Sequence, residues 1–347
     1  MSAKHYLAWF LSVVATALVA LVAFNAYCEY VIFSDPNGAS VETVSGFERV
    51  LKPAWLDSIA PQMVFVGSSR IREGFDPVLI DAAFHVKSFD YGVSSITPYE
   101  ARRFLEDTLA HPSVRTVVMA LDAFAGGNDA QKIGPGFDEL RLAVTADGRP
   151  TPRRALWLFT TRYLSGGAAG MHALALYDLM QLGPGQTATD RPDLFEAYSR
   201  MTAASMRLDL AFRGERVMRL SRSAHEEFKA ALADLCPRAD VRAYLFFPPD
   251  NGAVIERYLA NDRAGLLAFK QTVLEDVVRH NAVCPNQIAL FDFMTRNAIT
   301  EAPMPNGVSE TYLDLVHFRP PVGVVLLKRM LGEAGPGTEL VAPASLH

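Results

Sequence analysis

The chain opens on its longest apolar run. Over residues 6–28 nearly every side chain is hydrophobic, and Asn25 is the one strongly polar position. At 1.5 Å rise per residue such a run is long enough for a helix to cross a bilayer, which takes about 20 residues. Lys4 and His5 precede it, whereas Glu29, Asp35, Glu42 and Glu48 follow. Positive charge stays on the cytoplasmic side of a span, so this distribution keeps the N-terminus inside and sends the rest outward. A cleaved signal peptide has a shorter apolar core and small residues before its cleavage point. The nearest such pattern here is Phe24-Asn25-Ala26, so an uncleaved anchor over residues 1–33 fits better. Bulky Tyr27 directly before Cys28 disfavours a lipid-modified cysteine.

After the anchor the pattern shortens. Residues 34–61 predict a connecting segment with one short helix. Five apolar stretches of strand length then follow, at 63–66 (MVFV), 86–91, 114–121 (VRTVVMAL), 241–247 and 288–293. Between them the apolar spacing is that of helices. Residues 77–84 predict a short helix. Thr97-Pro98-Tyr99-Glu100 predicts a helix start running to about 109: Thr at the N-cap, Pro in the first turn and Glu at the third position form a capping box. Ser223-Ala224-His225-Glu226 repeats the signal for a helix ending near 235, and 264–281 and 320–331 predict two more. Strands alternating with helices predict an α/β three-layer sandwich around a parallel sheet, spanning residues 62–335. The alternation stops over about 125–220, where 151–164, 168–182 and 193–210 read as helices of an insertion. Residues 336–347 predict a flexible tail.

Half of the 347 residues are hydrophobic, enough for a sizeable core. A net charge of −5 with no basic stripe argues against a nucleic-acid partner. None of the three cysteines stands in a C-x-x-C spacing, so a thiolate zinc site has no support. Cys236 and Cys284 each stand just before a strand-like stretch. Neighbouring parallel strands would set both at one edge of the sheet. Two readings stay open: a disulfide, suited to an extracytoplasmic domain, or two buried thiols.

Candidate chemistry sits at the ends of this pattern. Gly67-Ser68-Ser69-Arg70 closes the first strand, and open α/β sheets bind ligands beyond the carboxyl ends of their strands. Near the C-terminus stands Asp314-Leu315-Val316-His317. Residues three apart on a helical turn share one side, so the carboxylate can orient the imidazole. A serine hydroxyl is a weak nucleophile until a base takes its proton, and a His oriented by a carboxylate is such a base. Ile71 replaces the final Gly of G-x-S-x-G, so the nucleophile elbow of ordinary α/β-hydrolases is not matched.

In this order the segments resemble the SGNH, or GDSL-like, hydrolase superfamily, whose sheet is flavodoxin-like. The resemblance covers roughly residues 62–331 outside the helical block. Its G-x-S block maps the nucleophile to Ser69, and its late D-x-x-H block maps the orienter and base to Asp314 and His317. Its second block supplies a glycine after the second strand, matched by Gly92, so the resemblance implies oxyanion donors at the N–H groups of Ser69 and Gly92. The family's third block, G-x-N, is not matched: the chain reads Leu121-Asp122-Ala123-Phe124 there. Asn128 substitutes only if its loop folds back. Asp122 would then bind a polar substrate group or structure the loop. Arg70 and Arg72 would hold an anionic sugar or phosphate, or be solvated surface charge. Tyr91 and Tyr99 would stack on a sugar ring or pack in the core. His85, His111, His225 and His280 carry no partner pattern and are expected on the surface.

The anchor, G-S-S, a strand-end Asp and D-x-x-H together resemble members that modify cell-envelope polymers, in alginate O-acetylation and teichoic-acid D-alanylation. That implies a serine esterase or O-acyltransferase acting on acyl esters of an envelope glycan, with no metal or diffusible cofactor. It implies a single-pass protein of the inner membrane with a periplasmic domain. Its partners would be the bilayer, the glycan and a membrane protein of an envelope complex. The missing Asn keeps a second reading open, a catalytically weak glycan-binding or assembly subunit.

Overall fold

A strand that is apolar on both faces is buried only if helices cover both sides of its sheet. A computed structural model describes residues 2–34, 48–125, 130–181, 210–211, 218–304 and 309–332, and it has this arrangement. The strands are β1 (Met63–Gly67), β2 (Ser88–Gly92), β3 (Thr116–Ala120), β4 (Arg242–Phe247) and β5 (Ile288–Asp292). They form one parallel sheet in the order β2-β1-β3-β4-β5. Each agrees with an apolar stretch of the sequence to within two residues at either end, and the third turns into a 3-10 helix at Leu121–Phe124.

Alternation along the strands divides the core in two. Val64, Val66, Val117, Met119, Ala243, Leu245 and Phe247 face one layer. It is built from α2 (Glu48–Ile59), α5 (Pro98–Leu109), α8 (Arg222–Leu235) and α9 (Gly252–Val283). Phe65, Val118, Ala120 and Phe246 face the other. That layer is α3 (Ser69–Gly74), α4 (Pro77–Phe84) and α10 (Pro320–Met330).

Local rules account for most element ends. The Thr97–Glu100 capping box forms with both of its bonds. Asp76 caps α4, with Pro77 at its first position. The second expected capping box does not form. Instead Ser221 takes the N-cap of α8, accepting from the Ala224 N–H at 3.1 Å. Two serines compete for the same turn, and the upstream one, with extended backbone, wins. The helix expected over 264–281 is the second half of α9, which starts after Asn251 and kinks at Asp262. Asp262 leaves helical geometry there and caps that second half by accepting from the Gly265 N–H at 2.9 Å.

The stretch expected as an anchor is helix α1 (Ala3–Ser34), which is long and apolar enough to cross a membrane. Of the insertion, α6 (Arg154–Tyr163) and α7 (Gly166–Gln181) are helical as expected. The helix expected over 193–210 lies outside the described residues save for its last position, as does the whole tail over 336–347. Of the two cysteine readings, the structure has the disulfide: Cys236 and Cys284 are bonded at the C-terminal ends of α8 and α9.

Candidate active site

The strand order reverses direction between β1 and β3, the switch point at which open α/β sheets present a crevice. Ser68 and Ser69 follow β1, and Asp122 follows β3. Three loops converge here. In the first, Ser68 is the N-cap of α3 and accepts from the Arg70 N–H at 3.1 Å. Ser69 is therefore the first residue of that helix, where a backbone N–H has no partner within the helix and can meet an anion.

The second loop carries the base. The Ser69 Oγ lies 2.8 Å from His317 Nε2, and His317 Nδ1 lies 2.7 Å from Asp314 Oδ2. The half-buried serine is thus in line with a buried imidazole and a buried carboxylate. With Asp314 ionised, Nδ1 carries the proton and Nε2 is left to accept from serine. Asp314 and His317 do not lie on a helical turn as expected. Asp314 Oδ1 instead accepts from the Val316 and His317 N–H groups at 2.7 and 2.8 Å. The loop is closed by the Leu313 N–H donating to the His317 carbonyl at 2.8 Å and by the Tyr312–Phe318 bridge. One carboxylate therefore folds its loop with one oxygen and orients the imidazole with the other.

The third loop locks the first two together through Arg70. The Arg70 guanidinium pairs with both Asp250 oxygens at 2.8 and 2.9 Å and with Asp122 Oδ2 at 2.7 Å. Burial alone would lower its pKa, but the two carboxylates outweigh that and hold it well above its usual value. Ser68 Oγ donates to the same Asp122 oxygen at 2.5 Å. Beside Asp250, the Asn251 N–H donates to the Leu315 carbonyl in the base loop at 2.9 Å. Arg70 thus ties the nucleophile turn to the segment that holds the base. This corrects the expectation of solvated surface charge: the guanidinium is buried between two carboxylates.

Other expected residues fall differently. The Gly92 N–H donates to Asp90 Oδ1 at 2.6 Å, so it does not stand free as an oxyanion donor. Gly92 is there for space, because a Cβ would come within 2.3 Å of the Arg72 backbone nitrogen in α3. Asn128 lies outside the described residues. Asp122 is buried beneath the serine turn, with its Oδ1 unpartnered among the described residues. Arg72 pairs with Glu48 at 2.7 Å and with Glu73. Tyr91 is core, its hydroxyl donating to Asp107 at 2.9 Å, while the Tyr99 hydroxyl donates to Glu139 at 2.6 Å. His280 is buried against the Asn286 carbonyl and His225 pairs with Asp276, so neither is a bare surface histidine.

Sequence reasoning sets Pro248-Pro249-Asp250 on the rim of the site but misses its pairing with Arg70 and the buried charges of α2. Pro248-Pro249-Asp250 marks a strand end, but nothing local says that the aspartate meets an arginine 180 positions earlier. Among the described residues no cluster of histidine, cysteine or carboxylate side chains could hold a metal ion. Compared with known proteins, the chain matches no protein-family model and no curated sequence.

Proposed function

We propose that the chain is a membrane-anchored, extracytoplasmic serine esterase or O-acyltransferase of the SGNH type, acting on acyl esters of a cell-envelope glycan. The observation that carries this reading is the Ser69–His317–Asp314 relay, with both links at hydrogen-bond distance at the carboxyl edge of the sheet. The anchor helix, its flanking charges and the disulfide support an outward-facing domain held to the inner membrane by a single pass.

Ser69 Oγ attacks the acyl carbonyl carbon while its proton passes to His317 Nε2. Asp314 accepts from Nδ1–H and stabilises the imidazolium that forms. The tetrahedral oxyanion meets the Ser69 N–H at the start of α3. Collapse breaks the bond to the alcohol, which leaves with the proton from His317, and an acyl-serine remains. Water or a sugar hydroxyl then attacks and gives its proton to His317. Ser69 leaves with that proton, and the product is a free acid or a newly acylated sugar.

Full-length protein treated with a fluorophosphonate probe should form an adduct at Ser69 and cleave simple acetyl esters. Both signals should vanish in Ser69→Ala and His317→Ala. Wild-type protein that neither labels nor cleaves would sink the reading. One observation favours a second reading, a weak or inactive envelope subunit: Gly92 N–H is engaged by Asp90, and Asp122 stands where the family has its Asn. Polymer acylation at wild-type levels in a Ser69→Ala strain would select that alternative.

A further inference from the structure

Helix α7, GGAAGMHALALYDLMQ, contains no Lys, Arg or Glu. One side of it is buried: His172, Ala175 and Leu179 meet the side of α1 that carries Asn25 and Ile32, while Ala168 and Met171 join the main core. The opposite face bears Leu174, Tyr177 and Met180, and all three are exposed. Its neighbour α6 exposes Leu156, Trp157 and Phe159. Asp178 is its one acidic residue, and contiguous exposed apolar patches such as this one mark interaction surfaces.

The attachment point on α1 says what covers this face. From Ala3 to Ala20 the helix is bare, a length of about 27 Å at 1.5 Å per residue, close to the roughly 30 Å of a hydrocarbon core. Contact begins at Leu21 and Val22 and becomes polar at Asn25, which bonds His172 at 2.9 Å and the Tyr163 carbonyl at 3.1 Å. One turn on, Glu29 pairs with Arg162 and accepts from the Tyr163 hydroxyl at 3.0 Å. These bonds set the α6–α7 turn level with the outer end of the bare stretch. The exposed Trp157, Phe159 and Tyr177 near this turn are side chains of the kind that concentrates in the interfacial zone.

We infer that α6 and α7 form a second membrane contact, seated in the outer-leaflet interface beside the anchor. This rests on the anchored reading. The seat has a consequence for the site. Arg154 of α6 pairs with Asp57 of α2 at 2.6 Å. Lys52 of α2 reaches Asp90 and the Gly92 carbonyl at 2.9 and 2.7 Å, and Glu48 reaches Arg72, three residues past Ser69. Ion pairs thus join α6, α2 and the turn at Ser69, so the triad is held at one height over the bilayer and takes acyl groups presented at the membrane surface.

Tryptophan fluorescence tests the seat in the full chain, reconstituted in phosphatidylcholine vesicles. The three tryptophans are Trp9 on α1, Trp55 in the core of α2 and Trp157 on α6. Trp9 and Trp157 are exposed, so replacing either by Phe leaves the core intact. W9F/W157F, with Trp55 alone, gives the unquenched baseline. W9F should lose fluorescence to lipid brominated near the headgroup, and about twofold less to lipid brominated near the chain end, as suits a helix lying about 5–10 Å into the interface. W157F, which keeps Trp9, should be quenched by both. If W157F is quenched and W9F stays at baseline, the hairpin is in water or against protein; the inference falls and the anchor stands. If both stay at baseline, the anchored reading itself fails and takes the inference with it. Quenching of W9F that vanishes on cross-linking into dimers would assign the face to a second copy and overturn the lipid seat.

Discussion

Ser68 and Ser69 are adjacent and chemically identical, yet the fold gives them opposite duties. Ser69 turns toward His317, while Ser68 caps α3 and donates to buried Asp122. Ser68→Ala should therefore cost about 1 kcal/mol from the lost cap alone, read as a lower denaturation midpoint, while the fluorophosphonate still labels Ser69. Loss of labelling with unchanged stability would reverse the assignment. Asp107 makes a second residue-scale case. It is fully buried beneath the Tyr91 hydroxyl and the Ala143 N–H. Burial, opposed by Arg154 and these two donors, pushes its pKa up to about 6 from 3.8. The folded state therefore holds this proton more tightly than the unfolded state. Its contribution is full below about pH 4 and is lost as pH rises through 6, a change of roughly 2–3 kcal/mol. Asp107→Asn keeps the acceptor for Ala143 and does not titrate. Denaturant titrations at pH 4 to 7 should show wild type losing stability relative to the variant across that window. Parallel curves would exclude the role.

Elements decide how His317 reaches Ser69. Helix α3 begins at Ser69, and α10 begins three residues after His317. The two cross where Gly323 meets the Gly74 carbonyl, and a Cβ on Gly323 would come within 1.8 Å of that oxygen. Gly323→Ala must push the helices apart. It should cost about 1–3 kcal/mol, as overpacking does, and slow labelling of Ser69, because base and nucleophile ride on the separated elements. Unchanged labelling kinetics would show that the two loops are held independently of this crossing. The same region shows a limit of spacing arguments. D-x-x-H suggests a helical turn, but Pro320-Pro321 can stand only in the first turn of α10. The preceding residues are left as a loop, and Asp314 folds it with its own carboxylate.

Across the whole molecule, the disulfide and the triad stand at opposite edges of the sheet. Cys236 and Cys284 precede β4 and β5, and the triad follows the strand ends. The bond closes a loop with a sequence separation of 48, which loop entropy values at about 4 kcal/mol. Cys236→Ser/Cys284→Ser should melt roughly 10 °C lower and still label Ser69 at room temperature. A variant that melts like wild type would show that the crosslink adds nothing to stability. By itself the sequence determined the long apolar N-terminal helix, the alternation of strand and helix, the Thr97 cap and the identity of Ser69, Asp314 and His317 as partners. Each of these is written in local periodicity or in a short motif. Only the tertiary structure decided that Arg70 turns inward to Asp122 and Asp250, that Gly92 serves close packing, and that α7 packs one face against α1 and leaves the other exposed. Those outcomes depend on groups brought together from distant positions, where burial sets a charge against its nearest partner rather than against its neighbour in the chain.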